Sequence, residues 1–86
     1  MTGAEALVRV LLGEGIAQVF GIVGGKLTPL LHAISQQGAL RFIGTRHEAA
    51  GPMMAAATYA RTGQIAVAIA EMGPGGLNMA WGLGVA

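Results

Sequence analysis

Arg46-His47-Glu48 close a short apolar run, Leu40 to Thr45, and open a segment of small residues that reaches Tyr59-Ala60-Arg61. The arrangement delivers one carboxylate to the end of a predicted strand and the mouth of a predicted helix. Parallel α/β sheets bind their ligands at that edge. Glu48 is followed by Ala, Gly and Met rather than by a solvated face, so it is expected to be buried, and burial shifts the proton affinity of a carboxylate. A structural alternative stands beside this chemistry. Thr45-Arg-His-Glu48 also has capping-box spacing, in which Glu48 would merely accept a backbone amide. Pro52 bears on the choice, because proline inside a helix costs about 3 kcal/mol but is accepted in the first turn. The helix is therefore expected to begin near Glu48 or Ala49, too late for Thr45 to cap it. The positive end of the helix dipole would then favour the anionic form of Glu48.

Two glycine clusters offer a second kind of chemistry. Gly21-Ile-Val-Gly-Gly-Lys26 approaches a phosphate-binding loop, but the first glycine would fall at Phe20 and the required hydroxyl at Leu27. Gly73-Pro-Gly75 begins like a dinucleotide fingerprint whose third glycine would fall at Asn78. Neither motif is complete. Both clusters precede predicted helices, so their amides could still hold an anion or let a ligand approach closely. His32 falls on the expected solvent side of the second helix, and His47 flanks the third. With no cysteine and no paired carboxylates at ligand spacing, a zinc or iron site is not expected. Met53, Met54, Met72 and Met79 read as flexible packing.

These residues are positioned by an alternating series of elements. Thr2-Gly-Ala-Glu5 has capping-box spacing, and Ala4, Leu7, Val8, Leu11 and Leu12 then recur at helical intervals until Gly13 and Gly15. A β-rich run covers Ala17–Val23, and Gly24-Gly25 makes a turn. Thr28-Pro29 reads as an N-cap followed by proline at the first helical position. A second strand spans Leu40–Gly44 and a third helix Glu48–Arg61. A third strand is expected over Gln64–Ala70, apolar on both faces as a central parallel strand should be. Gly73-Pro-Gly-Gly76 then reads as a turn leading to a helix that begins near Leu77. The order α-β-α-β-α-β-α implies a parallel sheet with helices on both faces, a three-layer α/β fold.

Composition narrows the function classes. Eighty-six residues form at most one small domain, yet the hydrophobic fraction is 53% and charged residues are only 10%. Charges normally approach ~25%, so too few are present to coat an independent globule. Much of the surface is expected to meet a partner or a remaining part of a longer protein. The final Trp81-Gly-Leu-Gly-Val-Ala86 carries no helix-ending signal and favours a fragment. A net charge of +1 without a basic cluster argues against nucleic acid. The 12-residue apolar stretch Ala49–Ala60 falls short of the ~20 residues a membrane helix needs. The absence of cysteine fits a cytoplasmic setting.

Taken together, Thr2-Gly-Ala-Glu5-Ala-Leu-Val8, Val19-Phe-Gly-Ile-Val-Gly-Gly25, Arg46-His-Glu48, Ala57-Thr-Tyr-Ala-Arg-Thr-Gly63 and Gly73-Pro-Gly-Gly-Leu-Asn78 resemble the N-terminal, pyrimidine-binding domain of thiamine-diphosphate enzymes of the acetolactate synthase and pyruvate oxidase type. The resemblance implies a catalytic role for Glu48. In such enzymes the matching glutamate hydrogen-bonds the aminopyrimidine ring nitrogen and favours the imino tautomer, whose exocyclic nitrogen deprotonates the thiazolium carbon for attack on a 2-oxo acid. By the same resemblance Val23, Gly24 and Gly25, together with Pro74, Gly75 and Asn78, would line the cofactor cleft. The diphosphate and its Mg2+ would be held by a separate C-terminal domain, in a homodimer or homotetramer, and no metal ligand is expected within this chain.

The resemblance further implies that residues 1–86 are a partial pyrimidine-binding domain of a longer enzyme, an incomplete thiamine-diphosphate-binding fold. Decarboxylase, oxidase and carboligase activities all remain open. The competing reading is a non-catalytic binding or assembly module, or an inactive fragment, in which Glu48 only caps a helix. A downstream Gly-Asp-Gly magnesium motif would favour the enzyme. Four positions depart from the family pattern: Val23 stands where proline is common, Pro52 where alanine is common, and Glu71-Met72 where a small hydroxyl pair is usual. Glu71 adds a second carboxylate at a strand end.

Overall fold

A computed structural model describes all of residues 1–86. Helix α1 spans Gly3–Gly13, strand β1 Gln18–Gly21, a 3₁₀ turn Gly25–Leu27 and helix α2 Thr28–Ser35. Strand β2 follows at Arg41–Gly44, helix α3 at Ala50–Thr62, strand β3 at Val67–Ile69 and helix α4 at Met72–Val85. The three strands form one parallel sheet in the order β2-β1-β3, with Phe20 paired to Ile43 on one side and to Ala68 on the other. The fold class expected from the sequence is the one observed.

The alternation of side chains along β1 builds two cores. Val19 points to one face, where Val8 and Ile16 from the α1 side and Ala33, Ile34 and Leu40 from the α2 side close over it. Val8 and Val19 are sealed almost completely, at 1% and 0% exposure, each contributing about 1.5–3 kcal/mol of hydrophobic burial. Phe20 and Ala68 belong to the opposite face, where Gly51 of α3 lies close enough that a Cβ there would sit 3.3 Å from Ala68 Cβ. Helices α1 and α2 therefore cover one side of the sheet, and α3 and α4 the other.

Local chemistry explains the helix starts. The capping box of α1 forms as expected: Thr2 Oγ1 accepts from the Glu5 amide at 3.1 Å and the Glu5 carboxylate accepts from the Thr2 amide at 2.8 Å. Helix α3 begins at Ala50, which makes Pro52 its third residue, where no amide partner is needed. It ends at Gly63, whose φ of 75° suits glycine and whose amide donates to the Tyr59 carbonyl at 2.8 Å.

Several boundaries or placements differ from the sequence reading; β1, for one, covers Gln18–Gly21 rather than Ala17–Val23. Thr28 is not an N-cap: the 3₁₀ turn runs straight into α2, and the Thr28 hydroxyl donates to the Gly24 carbonyl instead. Strand β3 is confined to Val67–Ile69 and lies at the edge of the sheet, with β1 central. Its Ala68 faces α3, and Val67 and Ile69 pack against the core around Val19. Gly73-Pro-Gly-Gly76 is not a turn before a helix; it is the first turn of α4, which starts at Met72. Pro74 is the third helical residue and loses nothing there, while Gly75 and Gly82 are the buried positions of α4.

Candidate functional site

Chain direction puts three loops on one rim of the sheet. The carboxyl ends of β1, β2 and β3 are followed respectively by Ile22–Gly24, Thr45–Ala49 and Ala70–Glu71. The loop after β1 leads to α2 on one face, and the loop after β3 leads to α4 on the other. Neighbouring strands whose connections diverge in this way leave a crevice between them, the usual ligand site of such sheets.

Glu48 enters from the adjacent β2 loop. Its carboxylate does not close a capping box. The Thr45 hydroxyl donates to the His47 carbonyl at 3.0 Å, and α3 has no side-chain cap. The Ala49 amide donates to His47 Nδ1 at 3.0 Å, so this local donor is already engaged. Glu48 Oε1 accepts from Asn78 Nδ2 of α4 at 3.3 Å, and a Cβ on Gly75 would lie 3.7 Å from Oε2. Full burial was expected for Glu48, but the side chain is only half-buried. Gly75 and Asn78 of α4 flank its carboxylate.

Two further contacts hold this rim. The His47 ring packs against Trp81 with centroids 5.8 Å apart at an interplanar angle of 50°. Gly82 abuts the Ala49 backbone so closely that a Cβ would lie 2.7 Å from Ala49 Cα and overlap the Ala49 carbonyl oxygen. Helix α4 thus rests on the residue next to Glu48.

The sequence-derived candidates divide into two groups. Glu48, Gly75 and Asn78 meet directly. Val23 and Gly25 are exposed and Gly24 half-buried in the loop after β1. Pro74 is exposed in the first turn of α4. The loop after β1 reaches the others through Glu71, whose Oε1 accepts from the Lys26 amide at 2.8 Å. His47, Trp81 and Gly82 were not singled out as site residues. Only the adjacency of His47 to Glu48 signalled it, whereas Trp81 and Gly82 become relevant through helix packing. A larger groove of about 890 Å3 runs between α1 and α2, lined by residues including Thr2, Arg9, His32 and Gln36. It contains none of the strand-end groups, so the candidate site is placed at Glu48 and Asn78 on chemical grounds.

A carboxylate, a primary amide and close-lying glycine backbone are gathered on the carboxyl rim of a parallel sheet, the edge at which α/β domains bind ligands. The chain belongs to the thiamine pyrophosphate enzyme family: residues 1–86 match the family described as "Thiamine pyrophosphate enzyme, N-terminal TPP binding domain". It is 35% identical over 86 residues to the acetolactate synthase isozyme 3 large subunit of Escherichia coli (strain K12), covering 100% of this chain and 15% of that protein. It is 37% identical over 79 residues to the pyruvate oxidase of Lactiplantibacillus plantarum, covering 91% of this chain and 13% of that protein. Against the sulfoacetaldehyde acetyltransferase of Rhodobacter capsulatus the identity is 40% over 78 residues, again 91% of this chain and 13% of the relative. The chain therefore spans only a small part of the length of these relatives. No helix is long and apolar enough to cross a membrane.

Proposed function

We propose that residues 1–86 supply the aminopyrimidine-binding part of a larger thiamine-diphosphate enzyme acting on a 2-oxo acid, with Glu48 as its proton-handling residue. The observation that carries this reading is the direction of the Glu48 carboxylate. It leaves its own helix uncapped and meets Asn78 and Gly75 at the carboxyl rim. The donor set fits a flat nitrogen heterocycle: one carboxyl to share a proton, one amide to orient it, and backbone without side chains beside it.

Each residue then has a task. Asn78 engages Oε1 and orients the carboxyl, leaving Oε2 for a second partner. Glu48 shares a proton with the pyrimidine ring nitrogen, a role that a partly desolvated carboxyl performs better than a fully hydrated one. Gly75 and the Val23-Gly24-Gly25 loop let the ring approach backbone on either side of the crevice. Thiamine diphosphate, when bound, supplies the electron sink that decarboxylation of a 2-oxo acid requires.

The finer assignments belong to the same proposal. By the same resemblance, we place the diphosphate and its Mg2+ on another domain of the longer protein. A homodimer or homotetramer would complete the site, in a cytoplasmic enzyme with acetolactate synthase-like transferase or decarboxylase activity. The test is Glu48→Gln in the full-length protein. Turnover is expected to fall by about 10²–10⁴-fold, the range for lost proton-transfer catalysis. Near-normal turnover would remove Glu48 from the mechanism and favour the non-catalytic module.

A further inference from the structure

Glu71 occupies the crevice between β1 and β3 in a way no local rule requires. Its Oε1 accepts from the Lys26 amide at 2.8 Å, across 45 positions of sequence. Its other oxygen lies over Gly24, where any Cβ would overlap it and would come within 2.6 Å of the carboxyl carbon. The carboxylate and the missing side chain of Gly24 are complementary shapes. One acidic group thus ties the loop that leaves β1 for one face of the sheet to the junction that leaves β3 for the other.

The backbone beside it is unusual. Met72, the residue after Glu71, has φ 43°, the only non-glycine residue with positive φ. That conformation is unfavourable for an L-residue with an unbranched side chain and persists where surrounding contacts enforce it. Met72 is itself 66% exposed, so packing of its side chain does not account for the geometry. The contacts that can enforce it are the Glu71 carboxylate on one side and the seating of Gly75 and Gly82 against the Glu48–Ala49 segment on the other.

We propose that Glu71 is a positioning residue, a carboxylate latch that sets the distance between the Gly24–Lys26 loop and the start of α4 and thereby the width of the cofactor crevice. The contact stands on geometry alone; its consequence for the cofactor rests on the thiamine-diphosphate reading. A latch of this kind needs an acceptor oxygen at residue 71 more than it needs a charge. It also needs residue 24 to be glycine.

The test compares Glu71→Ala, Glu71→Gln and Gly24→Ala in the full-length protein. Three quantities are read: hydrogen exchange at the Lys26 amide, thiamine diphosphate affinity by calorimetry, and the split between kcat and the KM for the cofactor. Glu71→Ala should release the Lys26 amide to fast exchange and weaken cofactor binding by about tenfold or more, the scale of one lost hydrogen bond to a charged acceptor. The kcat at saturating cofactor should change little. Glu71→Gln keeps an acceptor oxygen and should restore most of the affinity and the protection. Gly24→Ala expels the carboxylate and should release the Lys26 amide to the same extent, with the double change speeding its exchange no more than either single one. Unchanged Lys26 exchange in Glu71→Ala would overturn the latch, and so would cofactor affinity within about twofold of the unmodified protein. If the unmodified protein takes up no thiamine diphosphate, the cofactor role falls together with the proposed function. A response of Lys26 exchange to Glu71→Ala would then still separate that outcome from a failed contact.

Discussion

The Glu48 carboxylate owes its direction to the engagement of its neighbours. Thr45 has turned its hydroxyl to the His47 carbonyl, and His47 Nδ1 has taken the Ala49 amide, so neither draws Glu48 back onto its own backbone. His47→Ala should therefore loosen the approach to α3 and lower turnover of the full-length enzyme by about 2–10-fold, the value of one ordinary hydrogen bond. His47→Asn, which can accept an amide two residues on, should recover most of that loss in the same kinetic assay. A second residue-scale expectation concerns pH. The Thr2 backbone amide, and then the Thr2 hydroxyl, hold the Glu5 carboxyl below its ordinary value of 4.5. A depressed folded value means that the contribution of Glu5 is complete above the ordinary value and is lost as pH falls through the lower one. An acid titration of the Thr2 amide by NMR should show this step, Glu5→Gln should abolish it, and added salt should weaken it. Residues of this kind were unevenly legible. The Thr2–Glu5 box is local and was read directly, whereas Thr45–Glu48 has the same spacing and forms no box. Pro52 supplied the distinction, by moving the start of α3 beyond the reach of Thr45.

Among the elements, α4 shows where local pattern loses to packing. Gly73-Pro-Gly-Gly76 has the composition of a loop, and glycine costs about 0.5–1 kcal/mol relative to alanine in a helix. The segment is helical because Gly75 and Gly82 lie seven residues apart on one side and allow α4 to press against the Glu48–Ala49 segment and α3. Two substitutions separate these influences. Gly82→Ala puts a methyl group into the Ala49 backbone and should destabilise the domain by about 1–3 kcal/mol or more, as overpacking does. Gly76→Ala meets nothing within 4 Å and should stabilise α4 by about 0.5–1 kcal/mol. Chemical denaturation midpoints of the two variants should move in opposite directions. In the core, Ile34→Ala should cost about 2–5 kcal/mol by the same measurement, because Ile34 is only 3% exposed between α2 and the sheet. Such buried positions were legible from helical periodicity. The glycine side of α4 was not, because it carries no apolar stripe to mark which face is inward.

For the molecule as a whole, the alternation of apolar runs and turns gave the parallel α/β class, but not the order of strands within the sheet. The position of β3 at the edge follows from pairing with β1 across some 48 residues, and no periodicity records it. The Glu71–Lys26 contact is hidden for the same reason. The low charge content noted in the sequence does have a visible counterpart. Leu77, Trp81 and Val85 recur at four-residue intervals on α4 and are 75%, 57% and 68% exposed. An apolar row of this kind drives association. Residues 1–86 expressed alone should self-associate in sedimentation or size-exclusion experiments, and a monodisperse monomer would contradict that expectation. The close seat of Gly82 on Ala49 gives this outer row a mechanical meaning. No compliant side chain lies between the α4 backbone at Gly82 and the Ala49 backbone, so a shift of α4 there would press directly on the residue that follows Glu48.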